Sequence, residues 1–461
     1  MAILVILSCL GIFCMLMGLS KVNMKVVLGV SVVALVACLG VIGYTWGSDM
    51  AYFNHTVSFD KYALGFSGVL ISSTLLLVLL ADPFLENAKG FVSEHFALMF
   101  FALTGMVCMV CFDHLSMLFI GIEIMSVALY VLAGSNKSSL ASNEASLKYF
   151  LMGAFSTGFI LMGMTLIYAE TSSFHLEGIK EYIDNGNPTT VLLPLGISLI
   201  MMGLLFKVSA VPFHFWTPDV YEGSPDYVTA FMSSIAKAAS LGAFYRLFSV
   251  CFTGIGNWAD LLSVIAAVTI TVGSLGAVYQ YNIKRMLAYS SIANAGFMLI
   301  AIMVSGKIAN ESSILFYAGA YAIAVISAFG VIMVVSNKAG NDSIDSFNGL
   351  LNKNPLMAFV LTVAMLSLAG IPLTAGFFGK FFVLFNAMSQ GFVWLAVLAV
   401  INSMVGIYYY FKVIIAINFK PITDTTEGYA ISGTHQIALL VGSAATLVVG
   451  IFPQLIYSLL D

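Results

Sequence analysis

Charge is scarce in this sequence. Only 9% of its 461 residues are Asp, Glu, Lys or Arg, where ordinary soluble domains carry about 25%. Another 60% are apolar, which excludes a soluble globule and leaves room for many spans of about 20 residues each. The net charge of −4 is small. It comes with no basic tract and no acidic tail, which excludes nucleic acid and a disordered acidic arm. Six cysteines all lie in apolar segments. Cys108 and Cys111 form a C-x-x-C, but no second pair or histidine cluster completes a metal set, so they read as buried, inert thiols. A Gly-rich dinucleotide loop, a flavin motif and an iron–sulfur cysteine set are all lacking. The expectation is therefore no redox centre, no cofactor and no metal in this chain. The N-terminus has no basic segment ahead of its apolar run, so Met1–Leu19 reads as a retained first span.

Apolar runs predict an all-α polytopic membrane protein with about fourteen transmembrane helices and no large soluble domain. Lysines and arginines favour the loops on one side of the membrane. Lys21, Lys25, Lys89, Lys137, Lys284, Arg285, Lys338, Lys353 and Lys420 follow odd-numbered spans; Lys61, Lys180 and Lys307 follow even-numbered ones. By the positive-inside rule both termini then lie on the outer face.

The stretch 206–223, FKVSAVPFHFWTPDVYEG, places Lys207 inside an apolar run that ends at Pro212. An ammonium in hydrocarbon costs about 2.5–3.5 kcal/mol on insertion scales, and a proline frees backbone groups that only protein or trapped water can satisfy. A second interruption, GIPLTAGFFGK at 370–380, breaks the run 355–387 and ends on Lys380. Two broken helices carrying lysine, in separate halves of the chain, mark the site of an inverted-repeat transporter. Spans 4–8 (residues 94–253) and 9–13 (258–417) are the two five-helix blocks, flanked by a three-helix segment (1–84) and a last helix (433–459). An odd number of spans per block inverts the second relative to the first.

Lys237, in SSIAKAAS, sits near the middle of its span, too deep for its amine to reach the headgroups. Glu123 lies at similar depth and reads as a relay acid or as a buried partner for a lysine. Burial without a partner disfavours the charged form of a base, and a group that can lose a proton at working pH can pass one on. Lys148 follows Glu144 by four residues, a spacing that equally fits plain helix-surface pairing. His214 and Asp219 read either as an inner-side proton entry or as part of an interfacial belt around Trp216. Arg246 and Lys412, near span ends, read as headgroup anchors. Ser290, Ser291 and Asn294 in YSSIANAG can hold water but cannot titrate, and structural packing is the plainer reading of them.

FKVSAVPFHFWTPDVYEGSP at 206–225, SSIAKAAS at 233–240, KRMLAYSSIA at 284–293 and LAGIPLTAGFFGKF at 368–381 together resemble the antiporter-like membrane subunits of respiratory complex I. The resemblance covers essentially the whole chain. It implies two inverted five-span repeats, each with a half-channel, and broken helices 7 and 12. By position it assigns Glu123 to the span-5 glutamate, Lys207 to the span-7 lysine that glutamate pairs with, Lys237 to the central span-8 lysine and Lys380 to span 12. Lysine rather than glutamate at 380, and the lack of a long lateral helix, favour the N type over the M and L types. Asn294 stands where many relatives have histidine, so hydroxyls and water would have to bridge there. The implied function is proton translocation in a bacterial inner membrane. The resemblance also implies partner membrane subunits of complex I, antiporter-like and quinone-proximal, in the lipid bilayer, with NADH, FMN, iron–sulfur clusters and quinone expected in partner subunits. A subunit of a multisubunit cation/proton antiporter is the alternative.

Overall fold

The computed structural model describes residues 1–19, 24–87, 92–186, 189–252, 258–305, 311–422 and 428–459. Lys21, Lys89 and Lys307 lie outside them. The chain opens with α1 (Ala2–Gly18), α2 (Met24–Thr45), a hairpin of β1 (Met50–Tyr52) and β2 (Val57–Phe59), α3 (Lys61–Leu79) and the short α4 (Asp82–Asn87). Next come α5 (Val92–Val110), α6 (Leu115–Ala133), α7 (Leu140–Thr171), α8 (Leu176–Asp184), α9 (Leu192–Lys207), α10 (Trp216–Gly223), α11 (Asp226–Phe231) and α12 (Lys237–Cys251). The rest holds α13 (Trp258–Val278), α14 (Ile283–Val304), α15 (Glu311–Ala339), α16 (Leu350–Lys353), α17 (Pro355–Ala369), α18 (Ala375–Ser389), α19 (Val393–Asn418), α20 (Gly433–Ile451) and α21 (Gln454–Tyr457). In hydrocarbon every backbone amide needs an internal partner, which is why apolar runs of this length become helices.

Among the described residues ten helices are long and apolar enough to cross a membrane, and α1, α9, α17 and α18 are shorter apolar ones. The chain is not wholly helical. The segment 46–60, read as a loop, carries the β1–β2 hairpin, whose flank bonds onward from Ser58 N–H to the Cys111 carbonyl. Backbone groups lying against the bundle end must find partners, and a hairpin supplies them. Cys9 departs from expectation too: it is exposed, while the other five thiols are buried.

Both predicted breaks are present, at sharper positions than the sequence allowed. Helix α9 stops at Lys207, five residues before Pro212: Ser209 takes a left-handed φ of +65°, and Pro212 offers no N–H to the Val208 carbonyl four residues back. Ala210 N–H and Trp216 Nε1 then bond to the carbonyls of Leu205 and Phe206, at 2.9 and 3.3 Å. The second break is confined to 370–374. Gly370 takes a left-handed φ of +82° and closes α17, a conformation that glycine adopts without penalty. Lys380 therefore lies in the second turn of α18, not at the end of the interruption. A third irregularity was not predicted: one π-helical turn, Met232–Ala236, joins α11 to α12 immediately before Lys237.

Helices α14 and α15 are buried along almost their whole length and form the centre, while α2, α7 and α19 keep an apolar outer face. Helices α7 and α9 meet through facing glycines. A Cβ on Gly163 would sit 2.6 Å from the Gly196 carbonyl oxygen. Gly163→Val should therefore destabilise the pair by about 1–3 kcal/mol, read as a lower melting temperature of the detergent-purified protein. A melting point equal to wild type would show that this helix contact bears no weight.

Candidate functional site

Lys207 is the last residue of α9, where carbonyls point their negative ends at a cation. Its side chain is 7% exposed. Nζ donates to Ser126 Oγ at 2.8 Å and to Tyr130 Oη at 3.5 Å, both on α6. Glu123, Ser126 and Tyr130 follow each other at helical spacing on one stripe of α6. Glu123 is not the lysine's direct partner here. It is half-buried, one carboxylate oxygen has no hydrogen-bond partner among the described residues, and Lys207 rests one turn further along the stripe.

Lys237 is 2% exposed. Its ammonium donates to the Ser291 carbonyl at 3.0 Å and to Ser291 Oγ. Around Ser291 lies a cluster of neutral hydroxyls and amides. Ser290 Oγ bonds Tyr410 Oη from α19. Asn294 Nδ2 donates to the Ser290 carbonyl at 2.9 Å and to Tyr410 Oη at 3.3 Å, and Tyr317 from α15 donates to Asn294 Oδ1 at 2.9 Å. The Tyr317 ring also lies against Gly379, the residue before Lys380. Lys380 donates to the last carbonyls of α17, Leu368 at 2.9 Å and Ala369 at 3.1 Å, and its ammonium faces the Phe297 ring at 4.9 Å. Ser291, Asn294 and Phe297 share one face of α14 and cover about 9 Å along it.

The remaining candidates lie elsewhere. Lys148 is 40% exposed and pairs with both Glu144 and Asp219 at 2.7 Å. Arg285 binds Asp219 at 3.0 Å and Glu222 at 2.7 Å, so five charges run in alternation across the ends of α7, α10 and α14. His214 is buried with Nδ1 lacking a hydrogen-bond partner, and no bond joins it to Asp219 among the described residues. Arg246 is not a headgroup anchor. It is 5% exposed and held by Asp60 at 2.8 Å, Asp113 at 3.5 Å and the Phe112 carbonyl at 2.8 Å. Lys412 donates to the Gln280 carbonyl at 2.8 Å and faces the Tyr281 ring. No group of three His, Cys, Asp or Glu side chains converges as a metal set among the described residues.

The model of the family described as "NADH:quinone oxidoreductase/Mrp antiporter, TM" matches residues 113–406. A protein of Trichlorobacter lovleyi named NADH-quinone oxidoreductase subunit N is 42% identical over 414 residues, covering 89% of this chain and 85% of that one. The chain belongs to the NADH-quinone oxidoreductase subunit N family. The subunit N of Flavobacterium psychrophilum is 38% identical and covers 99% of both chains. Among solved structures, a chain of respiratory complex I from Thermus thermophilus superposes with a TM-score of 0.84 at 30% identity, covering 99% of this chain and 98% of that one. A chain of the Mrp complex from Dietzia shares the fold, with a TM-score of 0.86 at 21% identity and coverage of 99% and 94%.

Against that subunit N family background, the structure gathers Lys237, Lys380 and the α14 polar face into one interior region, with Lys207 on the α6 side. Ser126 and Tyr130 follow Glu123 at helical spacing and were legible in that sense. Tyr317, Tyr410 and Phe297 come from helices distant in sequence and carried no local signal.

Asp219 lies on α10, past the break that ends α9 and outside the predicted spans, with its side chain 36% exposed. Partial burial acts to raise its carboxyl, and the hydrogen bonds from Lys148 and Arg285 outweigh this and hold it below its ordinary value. A depressed carboxyl contributes stability above its unfolded value and loses it only as pH falls through the folded one. The melting-temperature difference between wild type and Asp219→Asn should thus be flat from about pH 6 to about pH 8 and close only below about pH 4. A slope across neutrality would mean that Asp219 exchanges protons there.

Proposed function

We propose that this chain is the proton-translocating membrane subunit of an NADH–quinone oxidoreductase, moving protons through Lys207, Lys237 and Lys380 with Glu123 as their modulating acid. The observation that carries the reading is that all three ammonium groups are buried and rest on neutral acceptors. Family membership supports the reading, as does the likeness to a chain of respiratory complex I. Electron transfer, with its NADH, FMN, iron–sulfur clusters and quinone, belongs to partner subunits. The setting is a bacterial inner membrane, with both termini outward and neighbouring membrane subunits alongside.

The architecture behind this is fourteen spans with residues 94–253 and 258–417 as inverted five-helix repeats. A matched pair of contacts supports the repeat. Leu115 N–H bonds the Phe174 carbonyl and Leu176 N–H bonds that of Asp113; Ile283 N–H bonds the Asp342 carbonyl and Ile344 N–H bonds that of Tyr281. Every residue of the second pair follows its counterpart by the same 168 positions (283 against 115, 344 against 176). The caps correspond as well: His114 opens α6 and Asn282 opens α14, each accepting from a backbone N–H two residues on.

In the mechanism, the Lys207 ammonium moves along the α6 stripe between Glu123 and the Ser126–Tyr130 pair. When it leans towards Lys237, the like charge disfavours protonation there; when it leans towards Glu123, Lys237 can take a proton from the inner side. Two unit charges about 8 Å apart at an effective dielectric of about 20 interact by ~2 kcal/mol, roughly a 30-fold bias. Released protons pass by the Ser291, Ser290, Tyr410, Asn294 and Tyr317 cluster towards Lys380. His214, Asp219 and Lys148 stand at the inner side, where the buried His214 is the titratable group best placed for entry.

In the assembled complex in proteoliposomes, Lys237→Met should abolish the proton yield of this subunit. Glu123→Gln should cut it by up to about tenfold, the effect of 1.4 kcal/mol of lost coupling, while Glu123→Asp retains most. An unchanged yield per NADH in Lys237→Met, with the complex assembled, removes the central residue of the relay. The family model also spans antiporter subunits, and sodium-driven proton flux through the isolated chain in liposomes would favour that reading.

A further inference from the structure

Lys284 and Arg285 count, in sequence, merely as two loop cations of the positive-inside pattern. Both instead occupy the first turn of α14, where a cation meets the positive end of the helix dipole. Their backbone N–H groups are capped by Asn282 Oδ1. The side chains do not serve the helix that carries them. They reach to the elbow at Ser224–Pro225 between α10 and α11, one to each arm.

Arg285 holds the α10 arm through Asp219 at 3.0 Å and Glu222 at 2.7 Å. Asn282 Nδ2 supports Glu222 at 3.2 Å, and Lys148 shares Asp219. Lys284, only 3% exposed, donates to the Ser224 carbonyl at 2.7 Å and pairs with Asp226, the first residue of α11, at 2.8 Å; Asp342 lies at 3.8 Å. Traced backwards, the α10 arm runs through Trp216, which bonds the Phe206 carbonyl and stacks on Tyr149, to Lys207. Traced forwards, the α11 arm enters the π-helical turn and delivers Lys237. The same α14 then supplies Ser291, on which Lys237 rests.

We propose that Lys284 and Arg285 are positioning residues that clamp the α10–α11 elbow to α14 and so fix the spacing between Lys207 and Lys237. The inference rests on the relay reading above. Coulomb coupling varies inversely with distance, so a loosened elbow alters how strongly one lysine's charge is felt at the other. Neither clamp residue touches a transferred proton. Losing the clamp changes the efficiency and pH response of pumping and leaves the path in place.

The test uses the complete NADH–quinone oxidoreductase containing this chain, in proteoliposomes, with proton yield per NADH measured against pH. Arg285→Gln and Lys284→Met should each lower the yield by about twofold or more and displace its pH optimum by about one unit, the scale of a charge coupling at this range. Arg285→Lys should recover most of the yield. The exchanged pair Lys284→Asp with Asp226→Lys should recover a yield that Asp226→Lys alone lacks. Complex at lower abundance but with wild-type yield and an unmoved pH optimum would overturn the proposal, since a merely structural contact behaves that way. If Lys284→Met does not assemble, the exchanged pair decides, and an assembled but uncoupled exchange counts against the clamp. Lys237→Met is measured alongside. Normal pumping there sinks the relay reading itself, whereas lost pumping there together with wild-type behaviour of the Arg285 and Lys284 variants sinks the clamp alone.

Discussion

Everything in this structure turns on what its cationic side chains rest on. Seven cations illustrate two solutions. Lys207, Lys237 and Lys380 rest on hydroxyls, carbonyls and, for Lys380, an aromatic face. Arg246, Lys284, Arg285 and Lys148 rest on carboxylates. A carboxylate partner stabilises the charged form strongly and fixes it. A neutral acceptor can bind an ammonium and can equally donate to a free amine if it is a hydroxyl. The interior lysines thus have partners that tolerate both protonation states, and the carboxylate-paired cations have partners that tolerate one. Partner chemistry, rather than burial, separates the relay candidates from the structural charges, since Arg246 and Lys284 are as deeply buried as Lys207.

The helix breaks follow from the same requirement. Unbroken helices spend every interior carbonyl on their own backbone. Ending α17 at Gly370 releases the carbonyls of Leu368 and Ala369, and Lys380 takes both. Ending α9 at Lys207 leaves the lysine at the negative end of the dipole, while Ala210 N–H and Trp216 Nε1 satisfy the Leu205 and Phe206 carbonyls of its last turn. The π-helical turn before Lys237 shifts the register of α12 relative to α11, and such turns are frequent at functional sites. Each interior lysine therefore adjoins an irregular backbone segment, and each irregularity contributes to its lysine's environment.

Much of this was legible from residues alone, because lysine in an apolar run and proline or glycine within a span are rare and costly. Lys207, Lys237 and Lys380 were identifiable on that ground, as were both interruptions. The π-helical turn was not, since MSSIA has no composition that separates one helical form from another. Arg246 was misread because its partners Asp60 and Asp113 come from chain far away in sequence, brought over it by the packing of α3 and the start of α6. The direct Glu123–Lys207 pairing that the resemblance implies is not made among the described residues, where Lys207 donates to Ser126 and Tyr130 instead. Lys284 and Arg285 were counted for their charge alone, and only the folded elbow gives them specific partners.

Asn294 poses the sharpest chemical question, since an amide does not titrate in the working range. Its geometry shows what it does instead. With Nδ2 donating to Tyr410 Oη and Oδ1 accepting from Tyr317 Oη, the amide fixes opposite senses on the two phenols. Tyr317 spends its proton on the amide, while Tyr410 accepts from it and keeps its own proton available to Ser290. On the relay reading, Ser291, Ser290 and Tyr410 are rotors whose O–H groups reorient as a proton passes, and Asn294 is the fixed template that biases them. A histidine at that position would hold a proton; an asparagine only orders the groups that hand it on. On the relay reading this leaves one fewer charged stop between Lys237 and Lys380, and the α14 face from Ser291 to Phe297, which both lysines contact, is what separates them.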